Sequence, residues 1–170
     1  LHLSLRRQRQ MCIRDRVFSS EAEINGLHIN YNLKSSAGKK LLTIYSGPSL
    51  TIGADVVTSQ TDENGNIDLL YPSIAIRGGN TEQMVQNSTL VVHSGTYQYL
   101  IAGNGINTMT TAEVEIFGST RIYSFLQCGG IAKDVSTVSL QINGGEIENL
   151  YVDGYSADVS NAVSYTHLTL

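Results

Sequence analysis

The feature that most constrains this chain is a repeat of about 25 residues running from roughly Lys40 to Tyr155. Leu90–Gly103 and Leu140–Asp153 match at a shift of 50, which sets Leu90 with Leu140, Val92 with Ile142, Gly95 with Gly145 and Leu100 with Leu150. A third copy, Val114–Cys128, falls halfway between them. Its second half keeps a shift of 25, giving the columns Tyr97/Ile122/Ile147, Leu100/Phe125/Leu150, Ile101/Leu126/Tyr151 and Ala102/Gln127/Val152. Its first half sits one residue early, a slip that one inserted residue in a turn near Ser119 would absorb. Weaker copies precede these: Leu42–Ile44 with Leu50–Ile52, then Ile67–Leu69 with Ile74–Ile76. On this reading Leu42, Ile67, Leu90, Val114 and Leu140 open successive copies.

Each copy reads as two short alternating strands with a Gly/Ser turn between them and a Gly-rich turn at the end. Neither strand can bury its apolar face alone, whereas stacked copies set Leu, Ile and Val on like residues. The expected fold is therefore all-β: a single-stranded, right-handed parallel β-helix of about five to six rungs, roughly 25 residues each. A β-sandwich would explain the alternation but not four columns held at one shift. Leucine-rich and calcium-binding nonapeptide patterns are absent. The repeats occupy residues 40–163. Residues 17–39 read as a degenerate first rung or edge, with Leu27, Ile29, Tyr31 and Leu33 on one face.

Composition agrees. Charged residues are 15% against roughly 25% in an ordinary globular chain, and the chain carries 16 Gly but only 2 Pro and no Trp. The formal charge of −4 is unevenly spread. Residues 1–16 hold five Arg and one Asp, which leaves six Lys/Arg against fourteen Asp/Glu in the rest. Such an acidic body repels phosphate backbones and anionic lipid, so no nucleic-acid partner is expected. No apolar run is long enough for a membrane span, so membrane insertion is not expected either. Cys12 and Cys128 form neither a disulfide framework nor a zinc spacing.

The basic segment 1–16 has no periodicity, and the segment 164–170 breaks off in mid-pattern. Both resemble translated sequencing-adapter read-through at the ends of reading frames from metagenomic assemblies. That resemblance implies that the natural protein continues beyond both ends, and that Cys12, His2 and His167 carry no function.

No catalytic, cofactor or metal motif emerges. Asp62, Asn64, Asn66 and Asp68 alternate like the opening of a calcium loop. Gly65 is misplaced for that turn, however, and Ser73 stands where a bidentate Glu belongs. A polar turn is the better reading. Asn87-Ser-Thr89 is a glycosylation sequon, meaningful only in a eukaryotic secretory setting. His28 and His93 have no partner at catalytic or ligand spacing, and His93 should point outward beside Phe117 and Asn143. The column Thr96/Arg121/Glu146 suggests a neighbouring-strand ion pair, and Gly103/Cys128/Asp153 and Gln98/Tyr123/Glu148 hold one acid each. No outward carboxylate pair on adjacent rungs suits glycoside hydrolysis. The chain is therefore not expected to be an enzyme, and no cofactor is expected.

What remains is an outer surface. Ile101, Leu126 and Tyr151 should face outward, and Tyr99, Tyr123, Tyr151 and Glu148 are the candidate ligand-contacting residues. Aromatic rings there could stack on sugars or cover a partner.

The turns Ser94-Gly-Thr-Tyr97 and Gly144-Gly-Glu-Ile147, each followed by an apolar strand and Gly, resemble those of bacterial cell-surface β-helix proteins, adhesin-like or pectate-lyase-like. The resemblance implies an extracellular or cell-surface bacterial protein in which this segment is structural or adhesive. Its expected partners are carbohydrate, a host surface protein and neighbouring repeats of the full-length protein. An alternative it also implies is a non-catalytic part of a carbohydrate-active β-helix enzyme, a polysaccharide lyase or glycoside hydrolase whose active site lies elsewhere.

Overall fold

The computed structural model describes residues 16–17, 21–33, 41–78, 85–103, 108–131, 133–154 and 159–166. Cys12, His2, His167 and almost all of segment 1–16 lie outside them. The strands are β1 (Arg16–Val17), β2 (Ala22–Ile24), β3 (His28–Asn32), β4 (Leu42–Tyr45), β5 (Ser49–Ile52), β6 (Val57–Thr61) and β7 (Ile67–Asp68). They continue as β8 (Ile74–Arg77), β9 (Asn87–Ile101), β10 (Met109–Gln127), β11 (Val135–Asn143), β12 (Glu146–Ile147), β13 (Leu150–Tyr151) and β14 (Val159–Thr166). No helix of the described residues is long and apolar enough to cross a membrane.

Among the described residues every strand pairing but one is parallel, and the strands form the walls of a coil. One wall joins β2, β5, the starts of β9 and β10, β11 and β14, through Ala22↔Leu50, Leu50↔Leu90, Leu90↔Val114, Val114↔Leu140 and Leu140↔Ser164. The middles of β9 and β10 pair at Tyr97↔Ile122, and Ile122 pairs with Ile147 of β12. The third wall joins β1, β4, β8, the ends of β9 and β10, and β13, through Ile44↔Ile76, Ile76↔Leu100, Leu100↔Leu126 and Leu126↔Leu150. Because β9 and β10 run through all three walls unbroken, most pairs merge into one 11-stranded sheet. The fold is an all-β solenoid with about 26 residues per turn.

The core is a set of like-on-like ladders. Leu50, Leu90, Val114 and Leu140 are buried in one column, and Ile52, Val92 and Ile116 in the next. Each fully buried aliphatic side chain contributes about 1.5–3 kcal/mol. Ile29 and Tyr31 are buried, with Leu27 and Leu33 packed against the same core, as their shared face predicts.

Three expectations need correction. First, the coil makes about four turns, not five to six. Ile67 does not open a rung, since β7 turns back antiparallel on β6 (Thr61↔Ile67) and Ile67 is 65% exposed. The reversal comes from Asp62, whose carboxylate accepts from the Asn64 and Asn66 N–H groups, both at 2.8 Å, a local turn that competes with the coil. The path from Leu50 to its partner Leu90 therefore takes 40 residues, while the next two steps in that column take 24 and 26.

Second, the inserted residue near Ser119 is present as a bulge between Ile116 and Ser119, but a second bulge lies between Ile122 and Phe125. The second half of β10 therefore does not keep a shift of 25: Leu126, not Phe125, pairs with Leu100. Third, Leu126 and Ile101 do not face solvent. Leu126 is fully buried, Ile101 is 4% exposed, and Ile101 shares its column with Gln127 and Tyr151. The shift of 50 between β9 and the β11–β13 coil holds throughout, so the deviations belong to β10 alone.

Candidate functional site

The bulges decide what the outer wall presents. Beyond the second one, Phe125 turns outward beside Tyr99, and the two rings stack with centroids 5.0 Å apart and planes 2° from parallel. Tyr151 meets the far side of Phe125 edge-on at 6.1 Å. Arg77 reaches Tyr99 from the preceding coil, its Nη2 donating to Tyr99 Oη at 2.8 Å and its guanidinium carbon 5.5 Å from the ring centroid. The result is a cross-coil ladder Arg77–Tyr99–Phe125–Tyr151. Tyr99 is engaged at its hydroxyl by Arg77 and on one ring face by Phe125. Tyr151, at the end, is 53% exposed.

Next to Tyr151 lies a cleft of about 690 Å³ lined by Phe125, Gln127, Leu150, Val152, Asp153 and Gly154. Leu150 is the last member of the Ile76/Leu100/Leu126 column and is 42% exposed, because no described strand pairs with the outer edge of β13. The buried Gln127 directs its Nε2 to the carbonyls of Gly129 and Gly130 at 3.2 and 2.8 Å, which fixes that side of the cleft. An open aromatic face, an apolar floor and an adjacent carboxylate, Asp153, suit a small polar ligand with an apolar face, such as a sugar.

Tyr123 belongs to a different place. Its hydroxyl donates to the Pro72 carbonyl at 3.0 Å, and its ring meets Tyr71 edge to face at 5.2 Å. Burial, and then the charge of Asp68, raise its pKa above the ordinary phenol value. The hairpin arm carrying β7 is thereby anchored on β10, past the intervening coil. Arg121 lies 5.7 Å from the Tyr71 ring centroid and pairs with Glu146 at 3.1 Å. With exposures of 38% and 75%, that ion pair contributes at most about 1 kcal/mol. Glu148 is exposed just beyond, its N–H bonded to the Ile122 carbonyl at 3.0 Å. The four candidate residues thus divide into Tyr99 and Tyr151 on the ladder and Tyr123 and Glu148 beside the arm.

Other candidates resolve into structure. Both Asp62 oxygens are taken by the turn, Oδ2 by the Asn66 side chain at 2.8 Å, and these bonds hold its carboxyl below the ordinary range. Asp68 accepts from the Leu70 and Tyr71 N–H groups. His93 stacks on Phe117 at 4.1 Å, as its outward position predicts. His28 has a partner that its sequence spacing did not show: Nε2 lies 2.7 Å from Ser59 Oγ, which also bonds Asn30 Oδ1 at 2.8 Å. Ser59 is fully buried, so this pair is a cross-coil hydrogen-bond network and not a nucleophile open to substrate. Cys128 is a buried free thiol whose pKa burial pushes up to about 12, the inert end of thiol chemistry. The predicted column Gly103/Cys128/Asp153 is displaced by the second bulge. Gly103 instead lies over the Gly129–Gly130 peptide, and Gly129 over Asp153–Gly154.

Sequence reasoning missed Arg77, Tyr71 and the apolar arm residues around it. The signal for the arm was present in the excess length between Leu50 and Leu90, which the Ile67 alternation disguised as a rung. No protein-family model, curated protein or solved structure matches the chain.

Proposed function

We propose that this chain is a structural and adhesive β-solenoid segment of a bacterial surface or secreted protein, which contacts glycans through its outer wall and catalyses no reaction. The observation that carries this reading is the ladder Arg77–Tyr99–Phe125–Tyr151, which ends in an open aromatic face beside a cleft. The coil interior is filled by apolar ladders, so ligands meet only the outside. The carboxylates in the strand ladders support a non-catalytic role. Glu23 faces Thr51, Glu113 faces Thr89 and Ser139, Glu115 faces Val91 and Gln141, and Glu146 faces Arg121. None of these faces a second carboxylate on the adjacent coil, although Glu113 and Glu115 share one face of β10.

The test is a polysaccharide array probed with the full chain and with Tyr151→Ala, followed by incubation with each bound polysaccharide. Binding that weakens about tenfold in the variant, with no new reducing ends or unsaturated products, is expected. Cleavage of a bound polysaccharide would overturn the non-catalytic reading, and equal binding by the variant would overturn the Tyr151 site.

A further inference from the structure

The arm between β6 and β8 has a property that the glycan reading does not use. Ile67, Leu69, Leu70 and Tyr71 are 65%, 52%, 55% and 51% exposed. At that exposure they present roughly 400 Å² of apolar surface, the size of the largest patch on a typical monomer and often a functional one. The patch is held in place on three sides. Asp62 closes the turn before it, Asp68 holds the Leu70 and Tyr71 N–H groups, and Gln60 Oε1 accepts from the Ser73 N–H at 2.9 Å. Tyr123 then ties Pro72 to β10. Four large apolar side chains on a segment so fully hydrogen-bonded are pre-organised for contact, which lowers the entropy cost of association.

The charges around the patch select the partner. Asp62, Glu63 and Asp68 lie on the arm, and Glu146 and Glu148 stand beside the Arg121–Tyr123 stretch that receives it. Arg121, which lies against the arm, is already engaged by Glu146 and by the Tyr71 ring. A second copy of this chain would bring acid against acid at the arm, and a sugar does not need four large aliphatic or aromatic side chains within five residues. We infer that the arm is a docking element for a protein that meets it with an apolar segment flanked by lysine or arginine.

The probe is a displayed random peptide library panned on the immobilised full chain, with the enriched peptides resynthesised for affinity measurement. Enrichment of peptides in which apolar residues are flanked by Lys or Arg is expected. Their affinity should fall about tenfold or more in Leu69→Asp/Leu70→Asp, less in Glu63→Lys, and with rising salt. Both sites are exposed, so circular dichroism and the melting curve should match the parent. If the double aspartate variant does not fold, Leu69→Ser alone gives the same reading. Tyr151→Ala should leave peptide binding unchanged, which separates this site from the glycan cleft. No enrichment, or equal binding by the parent and the folded arm variants, would overturn the inference. So would enriched peptides without basic residues, or a concentration-dependent dimer abolished by the double variant, which would make a second copy the occupant.

Discussion

Gly95 gives the sharpest test of how the coil turns its corners. Its φ is +95°, and a Cβ built there would stand 2.7 Å from Tyr97 Oη and 3.0 Å from Tyr97 Cζ. In Gly95→Ala the backbone conformation alone costs about 1–2 kcal/mol. The contact adds to this, because Tyr97 is fully buried and cannot step aside. Moving it breaks the bond from its hydroxyl to the Ser94 carbonyl, 3.0 Å long, and an unpaired buried hydroxyl costs about 1–3 kcal/mol. The sum expected is about 2–5 kcal/mol, or roughly 6–15 °C in Tm for a chain of this size. Gly118 supplies the control. It lies in the corresponding bulged corner of the next coil, has no positive φ, and a Cβ there meets nothing within 4 Å. Gly118→Ala should change stability by no more than about 0.5 kcal/mol. Urea unfolding followed by circular dichroism measures both. A double-mutant cycle with Tyr97→Phe, which removes the nearest atom, should recover about 1 kcal/mol of the Gly95→Ala loss. Equal effects at the two glycines, or no coupling to Tyr97, would refute the argument.

Ser94→Ala should cost about 2 kcal/mol by the same assay, since the buried Oγ gives its proton to the Gly53 carbonyl at 2.5 Å and accepts from the Val56 N–H at 3.0 Å. Tyr123→Phe frees the arm from Pro72 at a cost of about 1 kcal/mol, and chymotrypsin should then cut faster near Tyr71 while the β10 core keeps its hydrogen-exchange protection. Cys128 should resist alkylation at pH 8 in the native chain, as read from its own peptide. Its folded pKa is raised from 9.0 to about 12, so above pH 9 the unfolded chain loses the proton first. Its contribution is therefore complete below pH 9 and disappears as pH climbs to 12, and a stability that falls no more steeply across that window in the parent than in Cys128→Ala would contradict the burial assigned to it.

The fold was legible because the signal that specifies it is also the one that stabilises it. Leu90, Val114 and Leu140 pair in the structure because like apolar residues stack, and that same likeness makes the repeat visible in the sequence. The outer surface was less legible for a related reason. Side-chain direction in a strand has a period of two, so one undetected extra residue inverts every assignment beyond it. The first bulge could be inferred, because Val114 and Ile116 were plainly displaced from their columns. The second could not, because Phe125 and Leu126 are both large and apolar, and either fits the Leu100 column by hydrophobicity alone. Packing chooses between them: Leu126 fits between Leu100 and Leu150, while Phe125 gains a parallel stack on Tyr99.

That choice also bears on function. With a constant shift, Phe125 would occupy the core and Leu126 would stand outside, and no aromatic ladder would join Tyr99 to Tyr151. The extra residue at the second bulge of β10 thus creates the outer feature on which the glycan reading rests. The arm arises from a comparable departure, the extra residues between Leu50 and Leu90. Within the regular part of the coil, each apolar side chain is matched by its neighbours above and below and has little left to offer a ligand. Binding chemistry in this chain therefore gathers where the repeat is broken: at the bulged coil with its ladder, at the edge of β13 that no described strand covers, and on the arm that left the coil.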